Sequence, residues 1–213
     1  MNEPDNFSND KSDVYSEGER QWMELGQRLR ARMLHPLLVV LTRLKVTPDS
    51  ITLLAGLIGL LFVPCWLTGY RWIALTCLAL HVILDGVDGP LARHQKVDSA
   101  RGSFTDTFTD QLIVTATTIA WMIGQPTTFH IATGAIYIFV YSILVAMAMV
   151  RNALKVPYSW IVRPRFFVYL ALLIDTCCNS TFTVWIMLTC NILIALKCGS
   201  GFFVLRRNIP GPE

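Results

Sequence analysis

Long apolar runs separated by short polar segments dominate the chain, and the runs are of the length a bilayer-crossing helix requires, about 20 residues. Residues 51–69 are apolar apart from Thr52 and Thr68, and the preceding Thr47 and Pro48 offer an N-cap and a proline at the first helical position. A second run extends from about Trp72 to Arg93, a third from about Gly102 to Gly124 and a fourth from about Phe129 to Val150. The fifth, from near Pro164 to near Cys178, is short for a span; the sixth begins near Phe182 and ends between Lys197 and Leu205.

Ahead of these runs the pattern changes. From about Arg20 to Lys45, Trp22, Leu25, Leu29 and Met33 recur at helical spacing opposite Arg28, Arg30 and Arg32, which predicts an amphipathic helix in the membrane interface, with Pro36 starting a second segment. Residues 1–19 carry six acids against one lysine and almost no apolar side chain, so a disordered acidic tail is expected rather than a signal peptide. The expected architecture is an all-α integral membrane protein: tail 1–19, interfacial helix 20–46, a membrane domain of six transmembrane helices over 47–207 and a C-terminal tail 208–213.

Composition agrees with that class, since 53% of the 213 residues are hydrophobic and only 15% charged. The net charge of +3 is a poor match to nucleic-acid binding, because the basic residues lie in short segments between helices. Six spans place both termini on one side. Seventeen of the eighteen lysines and arginines then fall on that side, with Arg71 alone opposite, so the positive-inside rule makes it cytosolic. The six cysteines form no C-x-x-C pair and read as small packing residues. No G-x-G-x-x-G or P-loop is present, which leaves the membrane domain to hold any nucleotide.

Four acids interrupt the second and third runs. Asp85 and Asp88 are spaced i, i+3, and Asp106 and Asp110 are spaced i, i+4, so each pair occupies one helix face. A loop at roughly 94–101 places the two pairs at matching depths, with Asp85 and Asp110 on the order of 12 Å from the turn and Asp88 and Asp106 about one helical turn nearer. Facing carboxylates repel one another, and oxygen-only ligands favour hard divalent ions; a formal charge near −4 suits two Mg²⁺ or Mn²⁺ ions. His81, one turn before Asp85, either lines this pocket or is a packed, hydrogen-bonded helix histidine. Gly89, Ala92 and Gly102 leave the pocket wall bare, and with Arg93 nearby they leave room for a diphosphate.

These residues spell D-x-x-D-G-x-x-A-R-x8-G-x3-D-x3-D as Asp85, Asp88, Gly89, Ala92, Arg93, Gly102, Asp106 and Asp110. The run resembles the signature of the CDP-alcohol phosphotransferases at all eight defined positions, and the surrounding helices resemble that family's six-helix membrane domain. The resemblance implies transfer of a phosphoalcohol, such as phosphatidyl from CDP-diacylglycerol, to a second alcohol with release of CMP. It further implies two divalent ions at Asp85, Asp88, Asp106 and Asp110, with Asp110 as general base. Gly89, Ala92, Arg93 and Gly102 would hold the CDP group, and a homodimer is expected. A cation or proton transporter would also explain intramembrane acids but gives no reason for the Gly, Ala and Arg positions; a catalytically inactive relative is disfavoured because no motif residue is missing.

The acceptor alcohol is addressed by the segment between the fourth and fifth spans. Arg151, Lys155, Arg163 and Arg165 fall within fifteen residues. They either anchor the chain to anionic headgroups or form a pocket for a phosphorylated polyol such as glycerol 3-phosphate or inositol phosphate.

Overall fold

The computed structural model describes residues 33–154 and 163–209, which are helical with short connections and contain no strand. The expected tail 1–19, the Arg20–Arg32 part of the interfacial helix, Lys155 and the last four residues lie outside the described residues.

The first described helix, α1 (Met33–Arg43), runs continuously through Pro36 instead of restarting there, a correction to the expected break. Proline keeps a helical φ, so the ring by itself does not force a new segment. The first apolar run folds as α2 (Pro48–Leu60) and a short α3 (Phe62–Leu67), with Thr47 Oγ1 accepting the Ser50 N–H at 3.3 Å as the expected N-cap. Then follow α4 (Arg71–Gln95), α5 (Ala100–Gly124), α6 (Thr128–Leu154), α7 (Pro164–Cys178) and α8 (Phe182–Asn208).

Four segments are long and apolar enough to cross a membrane: Pro48–Leu67, Arg71–Gln95, Thr128–Leu154 and Phe182–Asn208. The other two expected spans are helical but differ in kind. α5 carries its acids and several threonines in its first half, and α7 has only 15 residues, about 22 Å of helix against the roughly 30 Å of a bilayer core.

Packing closes these helices into a ring. α2 lies against both α4 and α5, α5 against α6, α6 against α8, α8 against α7, and α7 returns to α4. Two glycines set how closely α2 approaches α5: a Cβ on Gly56 would come within 2.9 Å of Thr109 Cγ2, and one on Gly59 within 2.9 Å of Ile113 Cδ1. The main core joins Phe62, Trp66, Trp121, Tyr137, Met187 and Ile194, while a smaller cluster of Leu38, Ile51, Val87 and Leu91 fixes α1 against α2 and α4. Leu57, Ile83, Phe139 and Leu196 point outward, more than half exposed, as lipid-facing side chains do.

At the end of the bundle away from the aspartates, Asp175 closes the α7–α8 turn. Its carboxylate accepts the Phe182 and Thr183 N–H groups at 2.6 and 2.9 Å and the Ser180 hydroxyl at 2.6 Å, satisfying the open N-terminus of α8.

Candidate active site and metal centre

The connection between α4 and α5 is shorter than the loop expected from the sequence, residues 96–99, with Lys96 in the left-handed region as C-cap and Ser99 Oγ accepting the Gly102 N–H at 3.1 Å as N-cap. Asp85 lies ten residues before the end of α4 and Asp110 ten after the start of α5. The two therefore sit at one depth, about 15 Å from the turn, and Asp88 and Asp106 come nearer to it.

At that depth one ligand oxygen from each of Asp85, Asp88 and Asp106 lies within 4.8 Å of the others. Asp88 is the most constrained. Thr52 Oγ1 of α2 donates to its Oδ2 at 2.7 Å, and the Gly89 N–H donates to its Oδ1 at 2.6 Å. Three convergent carboxylates and no sulfur or imidazole ligand form a donor set of the kind hard divalent cations take, so the residues present fit the ions expected from the sequence.

Asp110 is held differently. Its Oδ1 forms an ion pair with Arg165 Nη1, while Arg165 Nη2 donates to Asp85 Oδ2 at 3.0 Å. Arg165 is only 2% exposed although it stands in the first turn of α7. The short α7 explains this: its N-terminus stops at the level of the aspartates rather than at the end of the α4–α5 hairpin. Sequence reasoning placed Arg165 among four acceptor-binding cations and missed its pairing with the acids. The signal was available, since a cation inside a membrane domain needs a carboxylate, and few acids lie at that depth.

The remaining expected cations do not share one environment. Arg151 is buried, with its guanidinium on the Asn152 side-chain oxygen at 2.9 Å, and Arg163 is exposed at the N-cap of α7. Beside Asp88, a Cβ on Gly89 would meet only the Arg93 guanidinium, at 3.6 Å, and Gly86, a glycine the sequence reading did not single out, has nothing within 4 Å of such a Cβ. A Cβ on Gly102 would meet Ser99 Oγ at 3.4 Å and Asp49 Oδ1 at 3.9 Å, ordinary van der Waals contacts. Ala92 is half-buried on the Asp88 face of α4. His81 takes the packed alternative at Nδ1, which is 3.1 Å from the Ala55 carbonyl, and its ring is buried under the aspartates.

Comparison with known proteins agrees with this architecture. The chain is 33% identical over 102 residues to the inner membrane protein YnjF of Escherichia coli K12, a match covering 48% of this chain and 49% of that one, so it spans about half the length of this curated relative. The fold superposes on Mycobacterium tuberculosis phosphatidylinositol phosphate synthase PgsA1 with CDP-DAG bound at a TM-score of 0.70 and 17% identity, covering 85% of this chain and 99% of that one. The same synthase in complex with manganese and citrate gives 0.69 and 16% identity, covering 84% and 92%. The model of the CDP-alcohol phosphatidyltransferase family matches residues 45–196, well over half of the chain and the whole of the aspartate hairpin, and this integral membrane protein therefore belongs to that family.

Proposed function

We propose that the protein transfers a phosphatidyl group from CDP-diacylglycerol to an acceptor alcohol with release of CMP, at the cytosolic face of the membrane. The observation that carries this reading is the convergence of Asp85, Asp88 and Asp106 within 4.8 Å, beside the bare helix wall. The CDP-DAG-bound and manganese-bound forms of the structurally similar synthase support it. A cation pathway gives no reason for the glycines and arginine packed around the acids.

Asp85, Asp88 and Asp106 would hold two divalent ions, Mg²⁺ or Mn²⁺, which when bound neutralise the charge that builds on the leaving CMP. Gly89, Ala92, Arg93 and Gly102 cradle the nucleotide. Asp110 takes the proton of the acceptor hydroxyl, whose oxygen attacks the phosphorus distal to cytidine. That bond forms as the bond to the CMP oxygen breaks, and the electron pair leaves with CMP. Arg151, Lys155 and Arg163 favour an acceptor that itself carries phosphate, such as glycerol 3-phosphate or inositol phosphate, whereas the Arg165 guanidinium is taken up by Asp85 and Asp110. The concentration of lysine and arginine at one end of the spans supports six crossings with both termini and the site in the cytosol. Family resemblance alone supports a homodimer.

The test is CMP release by purified protein given CDP-diacylglycerol and a panel of alcohols. Release with glycerol 3-phosphate or inositol phosphate is expected. Release only with uncharged alcohols would remove the acceptor assignment, and no release with any alcohol would remove the activity. For the cations, Arg151→Gln and Arg163→Gln are expected to raise the acceptor KM and leave that for CDP-diacylglycerol unchanged.

A further inference from the structure

Arg165 stands outside the eight-position motif, yet its side chain touches both halves of the aspartate hairpin. Its Nη2 holds Asp85 of α4 at 3.0 Å, and its Nη1 pairs with Asp110 of α5. The guanidinium is planar and its nitrogens form a rigid fork, so fixing one carboxylate fixes the direction of the other. The fork is itself restrained. Its stem is 2% exposed, and its Cζ lies 5.0 Å from the centre of the Phe166 ring.

That arrangement separates the four acids into two kinds. Asp88 is oriented by Thr52 and the Gly89 N–H, and groups with Asp85 and Asp106. Asp110 is outside that triad and is drawn toward α7. Asp110 lies one helical turn from Asp106, close enough for its carboxylate to be a further oxygen ligand, and its Oδ1 is paired with the arginine instead.

We propose that Arg165 is a positioning residue for the transfer reaction: it ties Asp110 to Asp85 across the α4–α7 seam, keeping Asp110 out of the cation-binding triad and facing the acceptor hydroxyl. This rests on the phosphatidyl-transfer reading above. It differs from direct recognition of the acceptor's phosphate, because Arg165 acts here through Asp110.

The experiment uses the full chain in detergent, with CDP-diacylglycerol and whichever of glycerol 3-phosphate or inositol phosphate supports CMP release. Arg165→Gln removes charge and fork, and Arg165→Lys keeps the charge without the fork. Both are expected to lower kcat by ~10²-fold, comparable to losing the base itself, with the KM for CDP-diacylglycerol and for acceptor held within about three-fold. In the Asp110→Asn background, Arg165→Gln is expected to cost no more than about three-fold further, since residues acting as a unit are not additive. Additive losses, a change confined to acceptor KM, or wild-type kcat in Arg165→Lys would each overturn the proposal. If Arg165→Gln does not fold, the charge-conserving lysine variant decides by the same kcat and KM criteria. A wild-type protein that releases no CMP with any alcohol would overturn the transfer reading and this inference together; an active wild type with additive variants overturns the inference alone.

Discussion

Both oxygens of Asp88 are oriented by donors from outside the pair of acidic residues, Thr52 Oγ1 at 2.7 Å and the Gly89 N–H at 2.6 Å. Groups that orient a ligand typically contribute 10–100-fold in metal affinity. Thr52→Val, which keeps the volume and removes the hydroxyl, is therefore expected to raise the Mg²⁺ concentration for half-maximal CMP release by ~10-fold or more. Titration of Mn²⁺ by electron paramagnetic resonance reads the same loss without turnover. Asp106→Ala should abolish both Mn²⁺ binding and activity. Asp110→Asn should instead leave Mn²⁺ binding close to wild type while lowering kcat by at least ~10²-fold, the lower range for a general base. Equal loss of metal binding in the two variants would put Asp110 among the ligands. The acids were plain in the sequence because an ionisable side chain in an apolar run is costly enough to be conspicuous. Thr52 was not, since a threonine near a helix start reads as ordinary.

At the scale of elements, the α2–α5 approach and the α7–α8 turn hold the helices that carry the site. A methyl group on Gly59 would meet Ile113 Cδ1 at 2.9 Å and His81 Cγ at 3.1 Å, and the imidazole is held by its bond to Ala55. Gly59→Ala is expected to destabilise by about 1–3 kcal/mol, as overpacking does. Adding Ile113→Val, which removes the nearest atom, should return part of the lost thermal midpoint in detergent; no recovery would place the conflict at His81 Cγ and the retained Cγ1 of residue 113, at 3.1 and 3.2 Å. Asp175→Ala tests the α7–α8 turn. It leaves the Phe182 and Thr183 N–H groups without their acceptor, at about 1–3 kcal/mol for buried groups. Lower thermal stability with unchanged KM for CDP-diacylglycerol is expected, because Asp175 lies away from the aspartate cluster. The helix boundaries explain what could be read beforehand. Pro164 and Cys178 bound α7 as the residue pattern indicates, and Thr47 caps α2 as expected. Pro36 misled because a proline is compatible with a helix as well as with its start.

Across the whole molecule, the distribution of charge bears on orientation and the balance of charge on what the aspartate cluster can hold. The four aspartates of the hairpin carry a formal −4, and Arg165 reduces that to −3 within its immediate contacts. A residual charge of this size in a membrane domain calls for cations, so exhaustive chelation should stop CMP release while leaving the elution volume and helical circular dichroism unchanged; activity that survives chelation would refute the metal site. Orientation is checked with reporter fusions at each terminus, both expected on the cytosolic side. A C-terminal reporter on the opposite face would mean an odd number of crossings, with α5 or α7 not spanning.

The sequence alone determined the class, the order of the helices and which acids converge in the hairpin. Hydrophobic run length, helical periodicity and the D-x-x-D-G-x-x-A-R spacing are local properties, legible without knowing which helix neighbours which. Tertiary structure alone decided the partners: that α2 packs against both α4 and α5, that Thr52 orients Asp88, and that Arg165 belongs with Asp85 and Asp110 rather than with Arg151 and Arg163. The physical reason is that these contacts join residues 36 to 80 positions apart, and α7 is roughly one and a half turns shorter than a full span. That shortfall lets its first turn end at the depth of the carboxylates, where a buried arginine finds the charges that stabilise it.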